Sequence, residues 1–201
     1  MTLANKCSTL AKGGKMNTNN KHQQSWTVVT YPQDFSDKGA GLGAQTILRL
    51  QKIVDTQKRG DIHIAHIVLA GGIGPDRKEY PEQRESFARM MRDWLVEEGT
   101  FNSGVIHYSK NDIAWNCIEV TVEMLKIIKG FNLPRNILVV STGFHVYPRM
   151  WTTWKIICSK KRGWRLAFIP AWNGTYGAVH ELLGTVKYIP LALWYRFRDK
   201  F

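Results

Sequence analysis

Residues 62–70 read IHIAHIVLA and run directly into Gly71 and Gly72, and this stretch decides the fold. Its apolar run is nearly continuous, which is typical of a parallel strand buried on both faces. The two glycines after it mark the end of the strand. A strand of this kind needs helices on both sides of its sheet, and an α/β fold is therefore predicted.

Strand and helix patterns alternate on either side of this stretch. Short apolar or β-branched runs at residues 26–31, 105–108, 137–140 and 166–169 predict four further strands. The clearest helix between them would have Pro81 in its first turn and Gly99 after its end, and its apolar residues recur at helical spacing. These residues are Phe87, Met90, Met91, Trp94 and Leu95. The order predicts a Rossmann-like three-layer sandwich with a mainly parallel sheet of about five strands.

Another helix is predicted around Ile47, Leu50 and Val54. Three further helices, in the second half of the chain, complete the predicted domain. Asp112 is expected to cap one helix, and Pro148 to open the next. Their apolar stripes are Ile113, Cys117, Val120, Met124 and Ile127 in the first, and Trp151, Trp154 and Cys158 in the second. Pro190 predicts a broken helix near the C-terminus. Its apolar and basic residues either pack on the core or lie on an anionic membrane.

Length and composition are those of one domain. The 201 residues are 44% hydrophobic, enough for a sizeable core. Residues 1–24 are polar and lysine-bearing without apolar periodicity, so a disordered basic leader is predicted, followed by a single α/β domain over residues 25–201. The chain has no stretch resembling a signal peptide or long enough to span a bilayer, and a cytoplasmic location is expected.

The three cysteines are too scattered to predict a disulfide framework or a metal site. Cys7 falls in the leader, and Cys117 and Cys158 lack metal-ligand spacing. Both are expected to be core thiols. No metal site is predicted.

The positive charge is concentrated at the two ends of the chain. The formal net charge is +12, from 28 Lys and Arg against 16 Asp and Glu. Residues 1–24 and 145–201 hold this excess, and the middle is neutral. Such asymmetry favours nucleic acid, an anionic membrane surface or a phosphorylated ligand as partner, and a solubilising basic face is the plain alternative.

Candidate site residues follow the predicted strands, because ligands bind outside the carboxyl ends of an open parallel sheet. Gly71 and Gly72 allow backbone to approach a ligand, although neither a P-loop nor a GxGxxG motif is present. Ser141, Thr142 and Gly143 end another strand, followed by His145 and Arg149. Arginine can grip a carboxylate or phosphate, and histidine can move a proton near neutral pH. Asp112 and Asn116 follow a third strand, where helix capping is the alternative role.

These motifs resemble the YdcF-like (SanA/ElyC/YdcF-type) family over residues 26–172. The matching segments are Gly71-Gly72, residues 112–116 (DIAWN), and residues 141–145 (STGFH) with Arg149. Phe87 stands at a position that is acidic in the family. The resemblance implies a Rossmann-like fold, a small polar pocket, S-adenosylmethionine as candidate cofactor and association with envelope biogenesis.

Two functions are therefore open. The first is binding of a small anionic or nucleotide-like metabolite, with His145 and Arg149 as catalytic candidates for a transferase or hydrolase. Gly71, Gly72, Asp112, Asn116, Ser141, Thr142 and Gly143 would line its site. This hypothesis needs the strands that end at Gly71 and at Thr142 to frame one shared hollow. The second is a non-catalytic basic module for nucleic acid, an anionic membrane or a lipid-linked phosphate at the inner membrane face.

Overall fold

The computed structural model describes residues 24–36, 40–73, 85–110, 114, 116–143, 145–158, 163–171 and 178–198. The strands within them are β1 (Ser25–Thr30), β2 (Phe35–Ser36), β3 (Gly41–Leu42), β4 (His63–Leu69), β5 (Ile106–Tyr108), β6 (Asn136–Thr142) and β7 (Arg165–Ala171). The α-helices are α1 (Ala44–Arg59), α2 (Phe87–Glu97), α3 (Cys117–Gly130), α4 (Trp151–Cys158) and α5 (Ala178–Arg198).

Five strands form one parallel sheet in the order β5-β4-β1-β6-β7. The chain first builds the half with β4 and β5 on one side of β1, and then crosses back to add β6 and β7 on the other side. The strand order thus reverses between β1 and β6, which is the topological switch point of a doubly wound sheet. The predicted α/β, Rossmann-like fold with five parallel strands is confirmed.

Each face of the sheet is covered by its own group of helices. On one face α1 and α2 bury Leu50, Ile53, Met91 and Leu95 against Ile67 and Val140 of the sheet. On the other face α3, α4 and α5 bury Ile118, Met124, Trp154 and Ala192 against Val68 and Val139. Neighbouring strand residues therefore alternate between two cores, as expected of a sheet that is buried on both sides.

The start of α3 differs from the sequence prediction. The helix begins at Cys117, and its N-cap is Asn116, whose side-chain oxygen accepts hydrogen bonds from the backbone N–H of Ile118 and Glu119, both at 3.0 Å. Asn116 and Glu119 together form a capping box. The predicted cap Asp112 lies outside the described residues. The predicted start of α2 at Pro81 is wrong, because α2 begins at Phe87 after its N-cap Ser86, and Pro81 itself lies outside the described residues.

The entry to α4 also differs. Pro148 lies inside the segment His145–Met150, a π-helical turn that is kinked at Tyr147, where the backbone is extended (φ −123°, ψ 116°), and the peptide bond between Tyr147 and Pro148 is cis. The predicted common face of Trp151, Trp154 and Cys158 is wrong for Trp151, which is 44% exposed while Trp154 is fully buried. The buried stripe of α4 centres on Trp154 and Ile157, and this leaves Trp151 at its edge.

The C-terminal helix α5 is continuous, so the predicted break at Pro190 is wrong. The ring of Pro190 displaces the backbone carbonyl of Val186 from its helical hydrogen bond. Because both residues are exposed, this carbonyl can bind solvent. Tyr188, Leu191 and Tyr195 pack against the core instead. Across the part of the chain that the structure describes, no helix combines the length and apolarity needed to cross a bilayer.

Candidate functional site at the switch point

The predicted shared hollow has to be corrected, because β1 lies between the two strands that were expected to frame it. β4 and β6 run in the same direction, yet each pairs with β1 and not with the other. The side chains that come together are those following β1 and β6, at the switch point of the sheet. This is the place where ligands bind in doubly wound folds.

Arg49 ties the ends of β1 and β6 together. Its side chain is fully buried, and it projects from α1. One terminal nitrogen donates to the carbonyl oxygen of Tyr31 at 2.7 Å, and the other donates to the Thr142 hydroxyl at 2.8 Å and to the Gln33 side chain. The Thr142 hydroxyl donates in turn to Gln33 Oε1 at 3.2 Å. A guanidinium therefore fixes the distance between two strand ends.

Asp34 fixes the start of α1 and so the position of Arg49. Its carboxylate accepts hydrogen bonds from the backbone N–H of Gln45 at 3.1 Å and of Thr46 at 2.9 Å. These are N–H groups that the first turn of a helix leaves without helical partners. A Cβ at Gly43 would collide with the Asp34 carboxylate, which explains a glycine at that position.

His145 is held from both ring nitrogens. Nδ1 lies 2.6 Å from Ser141 Oγ, and Nε2 lies 3.2 Å from Cys117 Sγ. The Tyr31 ring meets the imidazole edge-on, with centroids 5.8 Å apart. The side chain is 5% exposed. The ring orientation is consequently set by three neighbours from three different parts of the chain.

A chain of hydrogen bonds links Trp154, Tyr31 and Thr121 next to His145. Trp154 Nε1 donates to the Tyr31 hydroxyl at 2.6 Å, and that hydroxyl lies 2.6 Å from Thr121 Oγ1. Because the Thr121 hydroxyl donates to the carbonyl oxygen of Cys117 at 2.6 Å, Tyr31 must be the donor to Thr121. Burial raises the pKa of Tyr31, so its hydroxyl keeps its proton.

The electrostatics of the site keep His145 neutral. Burial lowers the pKa of His145 well below its ordinary value, and the positive charges of Arg49 and Arg149 lower that pKa further. Two guanidinium groups therefore act on the same imidazole. The region around this histidine is positive, and the imidazole itself carries no charge at neutral pH.

Arg149 is placed by the π-helical turn after β6 and is 8% exposed. Its guanidinium carbon lies 5.3 Å from the centre of the Tyr188 ring on α5, within the range of a cation–π contact. Ser141 and Thr142, both buried, precede this turn, with half-buried Gly143 after them. The predicted site residues of the β6 end are thus gathered in one place.

Gly71 and Gly72 serve internal packing on the far side of β1. The Gly72 N–H donates to the carbonyl oxygen of Ala114 at 2.7 Å, and the carbonyl oxygens of both glycines accept from the first turn of α2. Gly71 has φ +140°, and a Cβ there would lie 2.7 Å from Pro32 Cγ. The expectation that the backbone of both glycines approaches a ligand is not met by the amide of Gly72, which donates to Ala114.

Asn116 is engaged in capping α3, the alternative considered for it, and Asp112 lies outside the described residues. Cys117 matches the prediction of a core thiol only in part, because it packs against the core but is half-buried and contacts His145. Cys158 is buried, as expected of a core thiol.

Arg49 was missed among the candidate residues, although the sequence contains a signal for it. Thr46, Arg49, Leu50 and Ile53 are spaced i, i+3, i+4 and i+7, so the arginine lies on the buried stripe of α1. A charged residue on such a stripe requires a polar partner, and the end of β1 is the nearest source. The contact between Cys117 and His145 has no comparable signal, because 28 residues separate them.

A pair of histidines lies away from the switch point. His66 Nδ1 is 3.1 Å from His107 Nε2 across β4 and β5, and burial lowers the pKa of both. Among the described residues, no group of three or more His, Cys, Asp or Glu is placed to hold a metal ion.

The fold and site together define a Rossmann-like α/β protein with two arginines and a neutral histidine at its switch point. Comparison with protein-family models, curated proteins and solved structures gives no match for this chain. Membership of the YdcF-like family stays a prediction from the short motifs quoted above.

Proposed function

We propose that this chain binds a small anionic or nucleotide-like metabolite at the switch point between β1 and β6. The observation that carries the proposal is the presence of two nearly buried arginines, Arg49 and Arg149, whose charges both act on His145. Arg149 is assigned the role of anchoring the ligand anion, because it lies in the turn that follows β6, at the carboxyl end of the sheet. Guanidinium groups bind phosphates and carboxylates through paired N–H donors.

The charge at the site favours a phosphate-bearing ligand over S-adenosylmethionine, the cofactor implied by the YdcF-like resemblance. The carboxylate of that cofactor fits Arg149, but its sulfonium and ammonium groups are cationic and would lie near two guanidinium charges. A nucleotide has no such opposition. We therefore rank nucleotides and other phosphate esters first.

A transferase or hydrolase reaction at the bound ligand, in the cytoplasm, belongs to the same proposal. His145 is neutral, so it has one ring nitrogen able to accept a proton. Ser141 fixes the orientation of the ring. Proton transfer at His145 beside an anchored anion is the chemistry that these residues support.

Isothermal titration of the full chain with pyrophosphate, AMP and S-adenosylmethionine tests the proposal. Arg149→Gln is expected to weaken pyrophosphate and AMP binding by about 10- to 100-fold, since hydrogen bonds to charged groups contribute about 1.5–3 kcal/mol. The matched control is Arg165→Gln, which removes the same charge from the first, exposed residue of β7, at the amino ends of the strands and so at the opposite end of the sheet from the site. Equal loss in the two variants, or none in either, would refute an anion site at Arg149.

A second candidate function, binding to an anionic membrane, is favoured by one face of α5. Val186, Pro190, Trp194 and Phe197 recur at i, i+4, i+8 and i+11 and are all exposed, at 64% for Val186, 46% for Trp194 and 73% for Phe197. Arg196 lies on the same helix, and its guanidinium carbon is 5.8 Å from the Phe197 ring centre. Apolar and basic residues together on one helix are typical of interfacial helices.

Co-sedimentation with phosphatidylglycerol vesicles tests this candidate, with phosphatidylcholine vesicles for comparison. The double variant Trp194→Gln, Phe197→Gln should lose most of the bound fraction, whereas Phe131→Gln, at a 65% exposed position after α3, should not. Binding to nucleic acid predicts instead a steep salt dependence that does not change with Trp194 and Phe197.

A further inference from the structure

Three side chains at the switch point form one hydrogen-bonded row. Ser141 Oγ contacts Nδ1 of His145 at 2.6 Å, and Nε2 of the same ring contacts Cys117 Sγ at 3.2 Å. The row joins the end of β6, the π-helical turn and the first residue of α3. A nucleophile, a base and a group that orients the base, all in contact, form the arrangement used for acyl transfer on unrelated folds.

We propose that Cys117 is the nucleophile of an acyl-transfer reaction, with His145 as its base and Ser141 as the positioning residue for His145. The substrate is an ester or thioester whose leaving group bears a phosphate. The inference rests on the proposed anion site, because Arg149 would bind that phosphate. It extends the proposed function by assigning a substrate class and a covalent intermediate.

The surroundings of Cys117 suit it to a nucleophilic role. Cys117 is the first residue of α3, where the helix end carries a partial positive charge, and thiolates are stabilised there. Its contact with His145 supplies a proton acceptor at hydrogen-bond distance. Cys117 is half-buried and packs against the same core cluster that contains the buried Cys158. The two cysteines of the described residues therefore differ in access and in the contact with His145.

The base role fixes the tautomer of His145. Nε2 must carry the lone pair that accepts the thiol proton, so Nδ1 carries the hydrogen and donates it to Ser141 Oγ. The 2.6 Å contact to Ser141 permits this assignment. The edge of the imidazole packs against the Tyr31 ring, which limits rotation of the base away from the thiol.

The reaction has two balanced halves. In the first, the Cys117 proton moves to Nε2, sulfur bonds to the carbonyl carbon, and the tetrahedral adduct collapses by breaking the bond to the leaving group, which takes the proton from Nε2. In the second half, water or another acceptor gives a proton to Nε2 and attacks the thioester. The acyl group is released, and the proton returns from Nε2 to the sulfur.

Acyl transfer is preferred to phosphoryl transfer on one ground. A cysteine in contact with a histidine base, as Cys117 is with His145, is the arrangement of nucleophile and base typical of covalent acyl transfer. Phosphoryl transfer remains an outcome that the experiment separates.

The experiment treats the full chain with p-nitrophenyl acetate and follows p-nitrophenol release, intact mass and the modified peptide. A burst of p-nitrophenol with one acetyl group on Cys117 is expected, and Cys117→Ala should abolish the burst. Cys158→Ala should leave the burst unchanged. Equal acetylation of Cys117 and Cys158, or no burst, would overturn the proposal. Release from p-nitrophenyl phosphate without release from the acetate would overturn the acyl assignment.

The base and the positioning residue are tested by His145→Gln and Ser141→Ala. Each should slow acetylation by about 100-fold, the lower end of what a positioned acid or base contributes.

Pyrophosphate affinity, measured on the same proteins, should change little. Retained affinity also reports that a variant is folded, and it separates this inference from the anion site. Cys117→Ala that binds pyrophosphate and is not acetylated supports both, whereas a wild-type chain that is acetylated on Cys117 but does not bind pyrophosphate supports the nucleophile alone. Unchanged acetylation in both His145→Gln and Ser141→Ala would remove His145 from the reaction.

Discussion

Arg49 on α1 and Thr142 at the end of β6 are joined by a buried hydrogen bond of 2.8 Å, although 93 residues separate them in the chain. The same guanidinium binds the Tyr31 carbonyl at the end of β1. The Arg49 side chain therefore spans the switch point between β1 and β6, where the strand order reverses.

Replacing Arg49 should destabilise the domain. Arg49→Met removes the donors to Tyr31 and Thr142 and leaves buried acceptors without them, which should lower the free energy of unfolding by about 3 kcal/mol. Urea denaturation followed by far-UV circular dichroism measures the change. Arg59→Met, at the exposed end of the same helix, is the control and should cost less than about 0.5 kcal/mol. Similar values for the two variants would contradict the structural role of Arg49.

Removing the Tyr31 hydroxyl should also reduce stability. Tyr31→Phe leaves the Trp154 N–H without its acceptor and Thr121 without its donor, so a loss of about 1–3 kcal/mol is expected. Tyr147→Phe removes a hydroxyl from a side chain that is 48% exposed and should change little. Thermal unfolding compares the stability of the two variants. An unchanged unfolding temperature in Tyr31→Phe would mean that the hydrogen bonds of Tyr31 with Trp154 and Thr121 do not stabilise the domain.

Stability should fall as the pH is lowered through the histidine range. The pKa of His145 in the folded state lies well below 6.5, the ordinary value, so the unfolded chain binds more protons between the two pKa values. The contribution of His145 is fully present above pH 6.5 and decreases below it, by at most about 1.4 kcal/mol per pH unit. Urea unfolding between pH 5 and 8 measures the slope.

His145→Gln should reduce that slope, and His63→Gln, at an exposed position on β4, should not. His66 and His107, whose pKa values are also lowered by burial, are expected to keep part of the slope in both variants. A slope that is identical in wild type and His145→Gln would argue against a neutral buried imidazole.

Gly71 should tolerate alanine far less well than Gly60. Both have positive φ, +140° at Gly71 and +73° at Gly60, but a Cβ at Gly71 would meet Pro32 Cγ at 2.7 Å and Phe87 Cβ at 3.1 Å, while nothing lies within 4 Å at Gly60. Gly60→Ala should cost about 1 kcal/mol through strain alone. Gly71→Ala should cost at least about 2 kcal/mol, since strain and collision combine. Equal midpoints in urea would show that the backbone at Gly71 adjusts freely.

The sheet and its order of elements could be predicted because hydrophobic periodicity depends on burial, and burial is what the fold imposes. The run at 62–70 and the stripe from Phe87 to Leu95 are examples. Where local propensity and tertiary packing disagree, the prediction failed. Pro190 signals a break, yet packing of Tyr188 and Leu191 on the core carries α5 through it.

The site was predicted only where its residues are neighbours in sequence. Ser141, Thr142, His145 and Arg149 follow one strand, so their proximity follows from the chain itself. Gly71 and Gly72 were assigned to the same hollow because the position of β1 between β4 and β6 is not encoded in any local pattern. The partners of His145 and Thr142 that come from distant segments, Cys117 and Arg49, depend on that same topology.

The contacts of Arg49 also bear on when the site can form during synthesis. β1, α1, β4 and β5 all precede residue 109, and they can pair before β6 emerges from the ribosome. Thr142, Ser141 and His145 arrive only with β6 and the turn after it. A nascent chain that stops before residue 136 therefore contains Arg49 and Cys117 but none of their partners from the β6 end, and the switch point is assembled only once both halves of the sheet have joined.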